Sequence, residues 1–243
     1  GVANLWVEAS SEGIETTMSA ELGNIALQQS AGEIDRLTLL GATSFDGVRS
    51  RFHLAELNAS EEGSDIVIPP ISIEVDSEVV DIRSEAFDLQ DLLRIGRAVQ
   101  PADSEIMTLV SMLDPVGVMR EVVVREQRQS GERSIDFRFD GLGWAPYKTI
   151  PGATNISGSA AILGNQGDVT LQSADLAVSI PQQYPAPIEL EALSAEFGLS
   201  WSDTTLQLFD GRAVADAGTF SARALISAVV PLNGFDEDYP QLF

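Results

Sequence analysis

The chain has no cysteine, which excludes disulfide staples, zinc–thiolate centres and thiol nucleophiles together. Histidine occurs once, at His53. A lone imidazole without thiols does not build a typical transition-metal site. It lies in the alternating run Phe52-His53-Leu54, where a solvent-facing strand position is expected, and no Gly-x-Ser-x-Gly elbow supplies a nucleophile for it. Lysine is nearly missing: Lys148 stands alone, and the other thirteen basic residues are arginine. No apolar run approaches the roughly eighteen residues that a membrane-spanning helix needs.

Positive charge is scarce as well. Against 37 acidic residues stand 14 basic ones, a net charge of −23. Nucleic-acid binding needs a basic surface and is excluded as a class, and direct docking on anionic headgroups is disfavoured for the same reason. An acidic, lysine-poor surface suits a salty medium that screens self-repulsion, so a marine or halophilic source is expected. The thermal midpoint should then rise between low and molar salt; a flat series of melts would contradict this. The acidic residues guarantee some carboxylate pairs, but no spacing singles out a glycosidase-like pair. Asp236, Glu237 and Asp238 lack the glycine-spaced pattern of a calcium loop. Gly141-Leu142-Gly143 precedes Trp144 rather than a helix, so it is no phosphate loop. Catalytic residues, metal ligands and cofactors are all expected to be absent.

Alternation dominates what is present. Strand-like runs cover 4–9, 15–20, 25–29, 34–40, 48–54, 65–68 and 71–75, with turn clusters such as Asp46-Gly47 between them. Pro69-Pro70 marks an edge or a bulge. After residue 116 the pattern resumes with Val122 and Val124, then Ile135, Phe137 and Phe139. The clearest run is Leu193, Ala195, Phe197, Leu199 and Trp201, at strict period two. Period two with polar partners leaves one dry face and one wet face.

Between these blocks lies DLQDLLRIGRAVQPADSEIMTLVSML, residues 88–113. Leu89, Leu92, Leu93 and Gly96 recur at helical spacing, and so do Ile106, Leu109, Val110 and Leu113. Asp88 and Ser104 fit as N-caps, Pro101 breaks the pair, and Pro115 with Gly117 ends it. The division expected is a first β block (1–84), a helical hairpin (85–116) and a second β block (117–243). The two β blocks also resemble each other: Ile25 parallels Leu176, Ile34 and Leu37 parallel Leu190 and Leu193, and Phe52 and Leu54 parallel Leu206 and Leu208.

The order of a β block, FDLQDLLRIGRAVQPADSEIMTLVSMLDPVGVMREVVV and GLGWAPYKTIPGATNISGSAAILGNQGDVTLQSADLAVSIP resembles the AsmA-like superfamily of Gram-negative bacteria, in particular its YhdP-type branch. The matching residues are Asp88, Leu89, Leu92, Leu93, Pro115, Gly117, Trp144, Pro151, Gly152, Asn155, Ser157, Gly158 and Gly167, within roughly residues 85–230. The resemblance implies a non-enzymatic periplasmic β-groove whose parent protein is anchored in the inner membrane by a helix outside this chain. It implies phospholipid acyl chains as partners, in transport between inner and outer membrane.

The fold expected is therefore mainly β: a curved antiparallel sheet, or β-groove, of two repeated blocks with a helical hairpin between them. Candidate groove-facing residues are Val178, Leu193, Phe197, Leu199, Trp201, Leu206 and Leu208. Candidate lid residues are Leu89, Leu92, Leu93, Ile106, Leu109 and Leu113, since a curled sheet exposes edges and an apolar mouth. Two alternatives stay open: the same strand residues fill a closed core, making the chain a structural or assembly scaffold, and the helical stripes are ordinary core.

Overall fold

The computed structural model describes residues 1–10, 13–26, 33–61, 64–99, 112–147, 151–181, 183–202, 204–219, 221–231 and 241–242. The chain is mainly β, as the alternation predicts, and folds as two compact units. The first comprises residues 1–111 with 119–133, the second 112–118 with 134–243. The sequence boundary at 116/117 follows element type. The units instead divide β8 (Val116–Gln127), whose first residues belong to one and whose remainder belongs to the other.

In the first unit, β1 (Val2–Ser10), β2 (Gly13–Ala26), β3 (Glu33–Phe45) and β4 (Ser50–Glu61) form an antiparallel meander. It continues through β6 (Ile71–Val75), β7 (Val79–Asp88) and the later part of β8. The short β5 (Ser64–Ile68) pairs with the far half of β4. Pro69-Pro70 is the reason: β5 and β6 would be one strand along β4, but neither proline can donate to the ladder. The Ser84 hydroxyl donates to the Pro70 carbonyl at 3.1 Å.

Two sequence readings are corrected here. The separate runs 15–20 and 25–29 merge into the 14-residue β2, because the ladder to β3 runs on without a register shift from Leu22 opposite Leu37 to Ile25 opposite Ile34; residues 27–29 lie outside the described residues. β7 has no counterpart among the expected strands. Its signal is there in Val80, Ile82, Ser84 and Ala86, alternating with Asp81, Arg83 and Glu85.

The helix α1 (Leu89–Val99) forms where the periodicity places it. Asp88 caps it, with its carboxylate accepting from the Gln90 amide at 2.8 Å. α1 packs against β5 and β7. The second helix of the expected hairpin falls almost wholly on residues 100–111, outside the described residues.

The second unit is another meander: the first residues of β8, β9 (Arg133–Trp144), β10 (Gly152–Leu163), β11 (Gln166–Ser179), β12 (Ile188–Trp201), β13 (Thr205–Asp216), β14 (Ser221–Pro231) and β15 (Gln241–Leu242). Its ladders are interrupted by bulges. Register shifts occur on both sides of β10 between Ala153 and Gly158. There Gly141 (φ 60°), Asn155 (φ 59°) and Asp175 (φ 51°) are left-handed on three neighbouring strands. Asn155 tolerates that conformation because its side-chain amide is tied down, donating to the Ala174 carbonyl at 2.8 Å. A bulge bends its strand and sharpens the local twist, so this transverse line gives the unit its curvature.

The weak sequence repeat has a structural counterpart. Ile25 pairs with Ile34 across β2–β3, and Leu176 pairs with Leu190 across β11–β12. Each following hairpin then carries a bulge beside a glycine, Gly41 in β3–β4 and Gly198 in β12–β13.

Candidate binding surface

The strand registers line up uncharged side chains in rows that run across the strands. In the first unit one row is Leu5, Met18, Gly41, Leu54 and Ile71, and the next is Val7, Thr16, Thr43, Phe52, Ile73 and Ile82. A third is Ala3, Ala20, Leu39, Leu57 and Ile68. No Asp, Glu, Lys or Arg enters these rows. Burial along them is uneven. Leu54 in β4 is 6% exposed, whereas Leu5 and Val7 at the β1 end are 65% and 62% exposed. Burial of these rows thus falls towards the edge strand β1, every residue of which is exposed.

The second unit repeats the arrangement. Ile135, Ile162, Gly167, Leu199, Leu208 and Ala228 form one row, and Phe137, Ala160, Val169 and Phe197 form the next. A cluster of Phe139, Ala153, Ile156, Ala160 and Val169 is buried, with Phe137, Leu142, Trp144, Leu171, Phe197 and Leu199 packed on it half-buried. Deepest is Leu176, at 1% exposure.

Of the sequence-named groove residues, Leu199 lies opposite Leu208, and Trp201 opposite Leu206. Phe197 lies opposite Val169. Leu193 is flanked by Ser173 and Ala215, and Val178 by Ala153 and Ile188. All seven are half-buried. Of the lid candidates, Leu89 and Leu93 are half-buried on α1 and Leu92 is exposed. Leu113 belongs to the other unit, where its carbonyl accepts from the Ala145 amide at 2.6 Å; Ile106 and Leu109 lie outside the described residues. The candidate set had omitted Phe137, Phe139, Val169 and Leu171, and every row of the first unit. Their signal was the same period two, but the cross-strand register that joins short runs into rows is not visible in a single strand.

The opposite face of the first unit carries charge. Arg49 pairs with Glu74 at 3.0 Å, Arg51 with Asp46 at 3.1 Å, and Asp81 with both Arg83 (2.6 Å) and Arg125 (2.8 Å). Backbone amides of Arg49 and Val48 hold the Asp46 carboxyl below its ordinary range, and those of Val79 and Glu78 do the same for Asp76. For Asp81 the chief cause is the Arg83 hydrogen bond, followed by that of Arg125. Folding favours the ionised form of all three. Their contribution is therefore complete above about pH 4 and is lost as pH falls through the depressed folded values. His53 sits exposed on this face, its Nδ1 3.0 Å from the Ser72 hydroxyl.

No group of three or more metal-ligating side chains gathers among the described residues, and none of their helices is long and apolar enough to cross a membrane. What the described residues do assemble is an open antiparallel sheet with charge-free rows on one face and, in the first unit, ion pairs on the other. The chain belongs to the YhdP protein family, whose model matches residues 12–224. No curated protein and no solved structure matches it.

Proposed function

We propose that this chain binds phospholipid acyl chains non-covalently on its uncharged sheet faces, as a periplasmic segment of a membrane-anchored AsmA-like protein in lipid transport between inner and outer membranes. The observation that carries this reading is the set of charge-free rows running unbroken across successive strands, open to 65% at Leu5. An acyl chain laid along such a row exchanges water for apolar side chains, worth about 0.8 kcal/mol per methylene buried. The task needs no nucleophile and no metal. Placed over β5 and β7, α1 is suited to close one end of the first unit's face through Leu89 and Leu93.

The burial of Leu176 and Phe139 favours a second reading for part of the second unit, a self-filled core that serves as scaffold. Native mass spectrometry after expression in a Gram-negative host separates the two. Protein carrying co-purified phospholipid is the expected result; protein with its apo mass alone, under conditions that preserve non-covalent complexes, would sink the lipid reading.

A further inference from the structure

The charges around the uncharged rows point to the headgroup class of the lipid. Phosphate is normally held by guanidinium or ammonium groups, whose donors match its oxygens. Here seven arginines are already committed to carboxylates: Arg36, Arg49, Arg51, Arg83, Arg94, Arg125 and Arg133. Arg138, Arg212 and Arg223 alternate along their strands with Phe139, Ala213 and Ala224 of the uncharged face, so they stand on its reverse. The rows themselves hold no cation. At the strand ends of the second unit a cavity of about 400 Å³ brings Asp175, Glu189 and Glu191 beside Leu176 and Leu190. Apolar surface there meets solvent through carboxylates, within a chain whose net charge is −23.

We infer that the chain takes lipids whose headgroup carries its own amine, the zwitterionic ethanolamine type, in preference to net-anionic glycerol headgroups. The inference rests on the acyl-chain reading above. An amine brings the positive charge that these rows lack, and it neutralises its own phosphate. A glycerol headgroup brings one more negative charge into a field already negative, and among the described residues no cation stands in the rows to receive it.

The test uses the 243-residue chain and vesicles of phosphatidylethanolamine and phosphatidylglycerol in equal amounts with identical acyl chains. Protein is separated from the vesicles, and its bound lipid is quantified by mass spectrometry. Incubations at about 10 mM and about 1 M salt span Debye lengths of roughly 30 and 3 Å. Enrichment of the ethanolamine lipid by about fivefold, on the order of 1 kcal/mol, is expected at low salt and should shrink towards parity at high salt. Equal uptake at low salt, or preference for the glycerol lipid, overturns the headgroup inference and leaves acyl-chain binding standing. Uptake of neither lipid at either salt overturns both.

Discussion

Replacing Gly158 with alanine is expected to destabilise the second unit by about 3 kcal/mol. A Cβ at this position would lie 2.1 Å from the Thr170 carbonyl oxygen and 2.9 Å from the Phe139 ring. The oxygen belongs to the neighbouring strand, so relief requires parting β10 from β11 beside the bulge line, where the ladder is already interrupted. The ring belongs to the buried cluster and has little room to turn. Urea denaturation followed by tryptophan fluorescence measures the change. Gly23→Ala is the contrast: its Cβ would meet only the Asp35 carbonyl oxygen, at an ordinary 3.6 Å. That change should leave stability equal or slightly raised, because alanine gives up less backbone freedom on folding. A loss below about 1 kcal/mol for Gly158→Ala would mean that the strands yield more easily than close packing allows.

The other large effect concerns binding. Phe197→Glu combined with Leu199→Glu should lower co-purified phospholipid at least tenfold, about 1.4 kcal/mol or more. Both side chains are half-buried, Leu199 within one row and Phe197 at the end of the next, and a carboxylate there must lose water when an acyl chain covers it. Glu196→Gln changes the residue just before Phe197, on the reverse face, and should leave lipid content unchanged. Because the double change also touches the packed cluster, Leu5→Glu with Val7→Glu supplies a second version. Those side chains are 65% and 62% exposed, so the fold keeps them at little cost while their row acquires charge. Lipid retained in full by both folded variants would exclude the rows as the binding surface.

Much of this surface was legible in the sequence because period two is a local signal. Leu193, Phe197, Leu199 and Trp201 declare their shared side within one strand, and Leu206 with Leu208 do so in the next. The helix was equally legible: Asp88 states its start, and of the Leu89/Leu92/Leu93 spacing Leu89 and Leu93 mark the half-buried side while Leu92 is exposed. β7 was passed over because three charged residues interleave its four small or apolar ones, so that it resembles a polar linker. The bulge line was illegible for another reason. Asn155 and Asp175 adopt left-handed backbone at moderate cost, and neither residue type announces that choice inside a strand. Nor did element types foretell that β8 would be divided between two units, because a division of contacts within a continuous strand leaves no mark on its alternation.

The meander order has a consequence for how each unit comes apart and how it could have grown. Almost every strand touches only the strands before and after it in sequence, so stability is close to a sum of nearest-neighbour terms, as in solenoid repeats. Contacts of short sequence separation favour rapid zipping from any hairpin that forms first. Unfolding then proceeds as fraying from an outer strand inward, and amide exchange should be fastest along β1 and slowest around β10 and β11. Such a sheet can gain or lose a whole hairpin without rethreading the rest. The paired bulges at Gly41 and Gly198 are what a history of duplicated hairpins would leave behind.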